Sequence, residues 1–591
     1  MQESHLAHML RQRADHYGQR EVFRFKDKET YQSVSWTEFK HKAEAVSKFL
    51  LTQGMDVGDN VGIFSHNCPE WTISDLGILS IRSVVIPFYS TASYTQLEYI
   101  INETEMQVLF VGDQPQLELA IKALDQTDSL KRVVTFFASS SNDKRVMSFQ
   151  DIVDNKYEEA LNDTFNARLG QATKDDLATI IYTSGTTGEP KGVMLDHTNF
   201  MASFRIHTQR LKLGEDDVSM CFLPLSHVFE RTWTFFLLYC GGVNVYNANP
   251  RAIMDELPLV KPTVMCAVPR FFEKIQEGIH RTAAGWPKAQ KAIFDWALAV
   301  GMKYIDYQKD AVKAPLQLRI QKGIADRLVM RKALSIFGGN IRYMPCAGSA
   351  MSTSLLRYFH AMGLFVNYGY GASETTATVS CFRTDTYDFN YTGSIMPEVE
   401  VKISDEKMIL VKGDTVFKGY YKKPEETAKV LIDGWYHTGD QGSIPRPGAL
   451  WMTERIKDII KTSTGKYISP QKIELLLSQS ELIEQLCVIG DNRKYLSALI
   501  VPVFSVLKKE VEKQGCITDD QKALVQHELA ESCLQQSIDA LQAHLPPHEH
   551  IVKFTLLDEP FSIDNAMLTN TLKVRRKQVN VEYADVIAEM Y

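Results

Sequence analysis

The chain is poor in paired cysteines, in long hydrophobic runs and in blocks of positive charge. Its nine cysteines are odd in number and none stands in a C-x-x-C pair, so neither a disulfide framework nor a cysteine-rich zinc site is indicated. At 591 residues it is long enough for three or four domains and buries sizeable cores without such staples, which suits a reducing cytosol. Basic residues number 65 against 72 acidic ones, a net charge of −7 with no long Lys/Arg block. The electrostatic footprint of a nucleic-acid binder is therefore missing. The most apolar stretch, Trp233 to Tyr246, covers about 14 residues and holds paired glycines, short of the ~20 that a spanning helix needs. The opening segment MQESHLAHMLRQRADHYGQR is polar and helix-like, without the apolar core of a secretory signal. Internal repeats and low-complexity tracts are absent too.

What is present alternates between helical and strand patterns. Ser35 to Glu38 forms a capping box, and Phe39, Ala43, Val46 and Leu50 recur at spacings of three and four, which predicts an amphipathic helix ending at Gly54. Short β-branched or aromatic runs follow at Val61 to Phe64, Ser83 to Phe88, Gln107 to Val111 and Arg132 to Phe137, with helical patterns between them. Parallel sheet is the economical inference. Residues 273–336 turn mostly helical, an inserted helical hairpin, and sheet-like runs resume at Ile341 to Met344 and Leu364 to Asn367. Beyond about Arg455 the pattern is that of a small α+β unit, with strands at Ile456 to Lys461, Leu486 to Ile489 and Ser497 to Val503 and a helix from Pro470. The expected fold class is α/β: a large N-terminal domain, 1–455, of mainly parallel sheets with covering helices, and a small mobile α+β C-terminal domain, 456–591.

After the apolar run Leu177 to Tyr182 comes Thr183-Ser184-Gly185-Thr186-Thr187-Gly188-Glu189-Pro190-Lys191-Gly192. Glycines let backbone N–H groups approach a phosphate, hydroxyls add donors, and a lysine adds charge. Such a segment is built to hold an oligophosphate. It is not a Walker A loop, which would need Gly at 190 and Ser or Thr at 192. Further along stand Leu223-Pro224-Leu225-Ser226-His227-Val228-Phe229-Glu230-Arg231, Tyr370-Gly371-Ala372-Ser373-Glu374-Thr375, Asp433 to Asp440 (DGWYHTGD), Glu454-Arg455-Ile456-Lys457-Asp458 and Leu568 to Lys573 (LTNTLK). This ordered set resembles the adenylate-forming superfamily of acyl-CoA synthetases, peptide-synthetase adenylation domains and luciferases, and the resemblance runs through nearly the whole chain.

Joining ATP to a carboxylate brings two anions together, so charge on the α-phosphate must be neutralised as pyrophosphate leaves. The resemblance implies that Thr183 and Glu374 ligate Mg²⁺, and that the loop Thr183, Ser184, Gly185, Thr186, Thr187, Gly188 and Lys191 holds the β- and γ-phosphates. It implies that Asp440 accepts the ribose hydroxyls with help from Arg455, that Gly348 and Ser349 lie beside adenine and Tyr370 stacks on it, and that Gly371, Ser373 and Thr375 complete the nucleotide site. Lys573 matches the lysine that reaches in from the small domain to stabilise the transition state, and His227 is the expected gate residue near the carboxylate. The hinge is expected at Lys457-Asp458, with Thr464-Gly465-Lys466 lining the pantetheine passage.

Peptide-synthetase adenylation domains anchor a substrate ammonium with an Asp where this chain runs Ser226-His227-Val228-Phe229, and with 18 residues after Lys573 no carrier domain is expected. The apolar stretch Thr232 to Tyr239 and the helical insertion resemble the long-chain fatty acyl-CoA synthetase branch, with an alkyl tunnel expected near Phe229 and Trp233. The implied reaction consumes a fatty acid, ATP with Mg²⁺, and coenzyme A. Two alternatives stand beside it: a fatty acyl-AMP ligase delivering to a carrier protein, and a non-catalytic ATP- or lipid-binding pseudoenzyme. Retention of Glu374, Asp440, Arg455 and Lys573 together argues against the last. The expected location is cytoplasmic; peripheral membrane contact and a homodimer stay open at this point.

Overall fold

The apolar runs between residues 60 and 135 pair side by side because each has two faces to bury. In the computed structural model, which describes residues 4–28, 30–139, 141–183, 190–514, 520–563, 565–569 and 573–591, they form a seven-stranded sheet. Its order is Val146–Ser148, Arg132–Thr135, Val108–Val111, Asn60–Phe64, Val84–Phe88, Leu177–Thr183, Lys191–Asp196. All neighbours are parallel except the last pair, which is antiparallel. Val108 and Phe110 pack into one core with Phe39, Val46 and Trp71 from the helices Trp36–Thr52 and Pro69–Ser80. Leu109 and Val111 face the other way, against Leu97, Ile101 and Leu117 from Tyr94–Thr104 and Gln114–Gln126. Period-two alternation thus buries both faces of a parallel sheet under helices. The capping box is formed: the Glu38 N–H donates to Ser35 Oγ at 3.2 Å, and the Ser35 N–H donates to Glu38 Oε2 at 2.7 Å.

A second sheet runs from Tyr343–Cys346 and Phe365–Tyr370 through Ser380–Cys381 and Ser394–Ile395 to the long hairpin Trp435–Arg446 with Ala449–Arg455, and ends at Met408–Lys412 and Glu400–Ile403. Single bridges at Val264 and Ala267 join it to a third sheet containing Val218–Cys221 and Val243–Tyr246. From Ile460 onward the chain has apolar clusters of its own, around Ile483–Ile489, Leu496–Pro502 and Ile551–Leu556 and the helices that cover them. The molecule is therefore a large mixed α/β domain followed by a smaller α+β one.

Two expectations need correction. The insertion is not a hairpin but three helices, Pro269–Ala284, Lys288–Gln308 and Leu316–Ala325, the last continued by a π-helical turn, Asp326–Met330. Pro287 and Pro315 stand directly before the second and third, where proline's fixed φ and its restriction of the preceding residue start a new helix. Between Ile456 and Lys461 only Ile460–Lys461 is strand, paired with Tyr467–Ile468, while Ile456–Asp458 is a short 3₁₀ turn.

A buried ion pair orients the helix Val228–Tyr239. Arg231 Nε and Nη2 donate to Asp75 at 2.8 and 2.6 Å, and Nη1 donates to Thr179 Oγ1 at 2.6 Å. Bidentate geometry plus the hydroxyl satisfies charges that would otherwise be costly to bury. This ties the His227 segment to the first sheet and to the helix Pro69–Ser80.

Candidate active site

The strand ends and loops that carry the motifs converge on one cleft of about 3430 Å³. Thr183 is the last residue of its strand and lies directly across the antiparallel ladder from Lys191. Ser184, Gly185, Thr186, Thr187 and Gly188 lie outside the described residues. Lys191 Nζ pairs with Glu426 Oε2 at 2.5 Å and sits 5.1 Å from the centre of the Tyr420 ring. The hydroxyl of that tyrosine donates to Glu374 Oε1 at 2.9 Å. Tyr420 thus couples the loop lysine to the candidate metal carboxylate.

The loop after Phe365–Tyr370 is tightly folded. A Cβ on Gly371 would come within 1.8 Å of the Ala377 carbonyl oxygen, so only glycine fits there. Thr376 and Ala377 hold φ of 49° and 79°, left-handed values that non-glycine residues rarely take. Glu374 and Ser373 line the cleft, but Thr375 does not: it is fully buried, and its Oγ1 accepts the Ala372 N–H at 2.9 Å. Its hydroxyl closes the turn rather than facing a ligand.

Asp440 stands mid-strand and is 2% exposed. Arg455 is its cross-strand partner and donates through Nε to Oδ1 at 3.0 Å, while Tyr370 Oη donates to Oδ2 at 2.6 Å. Each carboxylate oxygen keeps acceptor capacity for a further hydroxyl. Gly348 and Ser349 line the same cleft, whereas Gly465, at φ 81° between Ile460–Lys461 and Tyr467–Ile468, is not among its lining residues.

Lys573 enters the cleft from the C-terminal domain, among the charges of Arg455, Asp440 and Asp458. It stays wetted by the cleft yet is walled in by protein. Burial, and then Arg455, lower its ammonium to about 8, with the two aspartates opposing. His227 caps the helix Val228–Tyr239, its Nδ1 accepting the Phe229 N–H at 3.2 Å. That acceptor role assigns the ring proton to Nε2. Burial first and Lys573 second push its pKa down to about 4, so the ring is neutral near pH 7. A neutral donor at a helix N-terminus suits an approaching carboxylate.

From His227 and Phe229 the cleft continues into an apolar arm lined by Ile275, Ile279, Trp286, Ile293, Phe294 and Val329 of the insertion. Trp233 does not line it. The indole is core, donating through Nε1 to Ser219 Oγ at 2.9 Å, and it borders only a separate void of about 40 Å³, too small for an alkyl chain. The expected tunnel at Trp233 is therefore replaced by the arm beside the insertion.

Sequence reasoning missed Tyr420 and Glu426. It also missed Asn67, which holds the segment before His227 by donating to Leu223 O at 2.7 Å and accepting from Leu225 N–H at 3.1 Å. None has a local signal, because each acts across more than forty intervening residues.

Comparison with known proteins agrees with this geometry. Residues 10–421 match the family model described as AMP-binding enzyme, and 457–591 match AMP-binding enzyme C-terminal domain. The chain is 30% identical over 573 residues to a long-chain-fatty-acid–CoA ligase of Mycobacterium tuberculosis, covering 94% of this chain and 92% of that protein. It is 29% identical over 583 residues to the peroxisomal long chain acyl-CoA synthetase 7 of Arabidopsis thaliana, covering 95% and 82%. Among solved structures, the fold is shared with the A domain of a carboxylic acid reductase from Segniliparus rugosus in complex with AMP and a co-purified carboxylic acid (TM-score 0.75, 20% identity, 100% and 94% covered). It is also shared with an anthranilate CoA ligase in complex with anthranoyl-AMP (TM-score 0.73, 18% identity, 99% and 98% covered). A cleft that gathers the adenylating motifs, inside a fold and a sequence family matched from end to end, places the chain in the AMP-binding enzyme family, in the long-chain fatty acyl-CoA synthetase branch of the adenylate-forming superfamily.

Proposed function

We propose that the protein is an ATP-dependent long-chain fatty acid:CoA ligase working in two steps. The observation that carries this reading is the continuity of one cleft from Glu374, Asp440 and Lys573 to the apolar arm, with His227 on its wall. The alkyl chain lies in the arm, and His227 Nε2–H donates to the substrate carboxylate. A carboxylate oxygen attacks the α-phosphorus, the bond to pyrophosphate breaks, and Lys573 neutralises the charge that gathers there. Asp440 and Arg455 fix the ribose, and Lys191 exchanges Glu426 for the terminal phosphates. Glu374 and Thr183 offer one carboxylate and one hydroxyl, a donor set that fits Mg²⁺ carried mainly by water and phosphate oxygens. When bound, that ion supplies charge neutralisation on the phosphates. The domains divide at 455/456, and rotation about Lys457-Asp458 then withdraws Lys573. The CoA thiolate, entering past Thr464-Gly465-Lys466, attacks the acyl carbon and expels AMP.

Pyrophosphate release measured across a fatty acid series, with and without CoA, tests the reading: long-chain acids should be preferred, and CoA should accelerate turnover. Release of acyl-adenylate with no response to CoA would assign the acyl-AMP ligase reaction instead. No pyrophosphate release with any acid would leave a binding protein.

Two further outcomes follow from the site. Lys573 acts while charged, so protonation must persist during adenylation. kcat/KM for adenylate formation should be level between about pH 6 and 7 and fall as pH rises through about 8, because the ammonium loses its proton there. A profile flat to about pH 9.5 would remove Lys573 from the step. Glu374→Gln keeps an acceptor for Tyr420 but removes the charge. Metal-dependent activity should fall about 100-fold, with the thermal midpoint moving by no more than about 2 °C. Wild-type rates regained at raised Mg²⁺ and ATP would make Glu374 merely structural.

A further inference from the structure

The position of Lys573 is set by the backbone on either side of it. Its N–H donates to Thr569 Oγ1 at 3.0 Å, its carbonyl accepts the Thr569 N–H at 2.8 Å, and Val574 bridges Leu568 in antiparallel register. Two residues past the lysine, the Arg575 N–H donates to Met567 O at 2.7 Å. Lys573 therefore stands on the returning limb of a short turn. A two-stranded turn of this size is marginal by itself, so the ammonium is only as steady as whatever fastens the base of the turn.

Arg576 fastens it. This residue opens the helix Arg576–Glu582, and its Nη1 lies 2.7 Å from Glu474 Oε1 on the helix Pro470–Leu477. The same nitrogen donates to Val488 O and lies 3.3 Å from Cys487 Sγ, both in the strand Ile483–Ile489. Glu474 Oε1 in turn accepts the Val488 N–H at 2.8 Å. Acid and base thus close on one peptide unit of the central strand, one taking its N–H and the other giving to its carbonyl. The two side chains are 18% and 21% exposed, whereas Arg575 and Lys577, on either side of Arg576, are open to solvent. Of these three basic residues, the one that is paired and half-buried points back to the core of the C-terminal domain. One turn before Glu474, Gln471 Nε2 donates to Asp458 Oδ2 at 3.4 Å, so the helix that anchors the lysine turn also meets the proposed hinge.

We infer that Glu474 and Arg576 are positioning residues for Lys573: they clamp the base of its turn to the strand Ile483–Ile489 and so hold the ammonium in the cleft. Neither has a part in the chemistry proposed above. A half-buried ion pair contributes little net stability, yet removal of one partner frees whatever the pair held. What it holds here begins three residues after Lys573. The clamp stands on these distances, and its effect on rate rests on the ligase reading.

Arg576→Met and Glu474→Ala test it. In both, kcat for adenylate formation should fall about 30-fold while KM for ATP stays within about threefold, because the cation is misplaced and the nucleotide site is intact. Acyl-CoA formation from supplied acyl-adenylate should stay within about twofold of wild type. Equal losses in the two half-reactions would make the pair a support of the domain alone and overturn the proposal. A second measurement needs no turnover: NMR titration of ¹³C-methylated lysines, with Lys573→Ala identifying the signal. Lys573 should titrate near about 8 in the wild type and close to the ordinary lysine value of about 10 in both variants, as the freed ammonium returns to water. Acting merely as charges, the two would move the titration in opposite senses, up for Arg576→Met and down for Glu474→Ala. Opposite movement, or none, overturns the clamp. Arg576→Lys keeps the charge and loses the fork, which gives a mild variant should the others melt the domain. It should slow adenylation about fivefold and raise the Lys573 titration toward about 9, and an unchanged titration there overturns the clamp as well. A protein that shows the expected titrations yet activates no acid would refute the ligase reading and leave the clamp standing.

Discussion

Lys573→Ala is expected to abolish adenylate formation and leave the second half-reaction intact. The lysine is the cation that the C-terminal domain brings to Asp440 and Arg455, and burial has already lowered its pKa to about 8. A charge directed into a cleft walled by protein stabilises a developing anion more than it would in bulk water. Losing it should slow pyrophosphate release by 100-fold or more, on the order of 3 kcal/mol in the barrier. Acyl-CoA formation from supplied acyl-adenylate should stay near the wild-type rate, because in the proposed two-step reaction the lysine is withdrawn before that step. Equal losses in both half-reactions would mean that Lys573 supports the domain rather than the chemistry.

Asp458→Pro is expected to separate the half-reactions in the opposite sense. Asp458 ends the 3₁₀ turn Ile456–Asp458, a conformation whose typical φ is near the value that proline enforces. Proline therefore suits the arrangement in which Lys573 faces the nucleotide end of the cleft, and it opposes the φ change that a rotation requires. Adenylate should still form at a rate within about threefold of wild type. Its transfer to CoA should fall by about 100-fold or more. Separate assays of pyrophosphate release and of acyl-CoA from isolated adenylate decide the matter. Survival of both activities would place the hinge elsewhere.

Tyr420 ties Lys191 to Glu374 across the cleft. Its hydroxyl holds Glu374, its ring underlies Lys191, and Glu426 keeps that lysine paired while no phosphate competes. In the proposed reaction, phosphate would replace Glu426 as the ionic partner of Lys191, so no free ammonium has to be desolvated. The strained backbone at Thr376 and Ala377 lies in the same loop as Glu374, held by the close approach at Gly371.

By itself the sequence determined several features that depend on neighbours along the chain. The capping box at Ser35 and Glu38 and the short apolar runs around Val61 and Leu109 each follow from a few consecutive residues, whose backbone preferences and side-chain spacing act locally. Tertiary structure alone decided what those pieces meet. Lys191 and Glu426 are 235 positions apart, and Asp440 finds Arg455 only through the register of a hairpin. Trp233 and Ile293 illustrate the same limit. Both read as apolar, yet one is sealed in the core and the other lies exposed at the mouth of the acyl arm. Hydrophobicity specifies that a side chain leaves water where it can; which surface it meets, or whether it meets one, is set by strand order and helix packing between residues far apart in the chain.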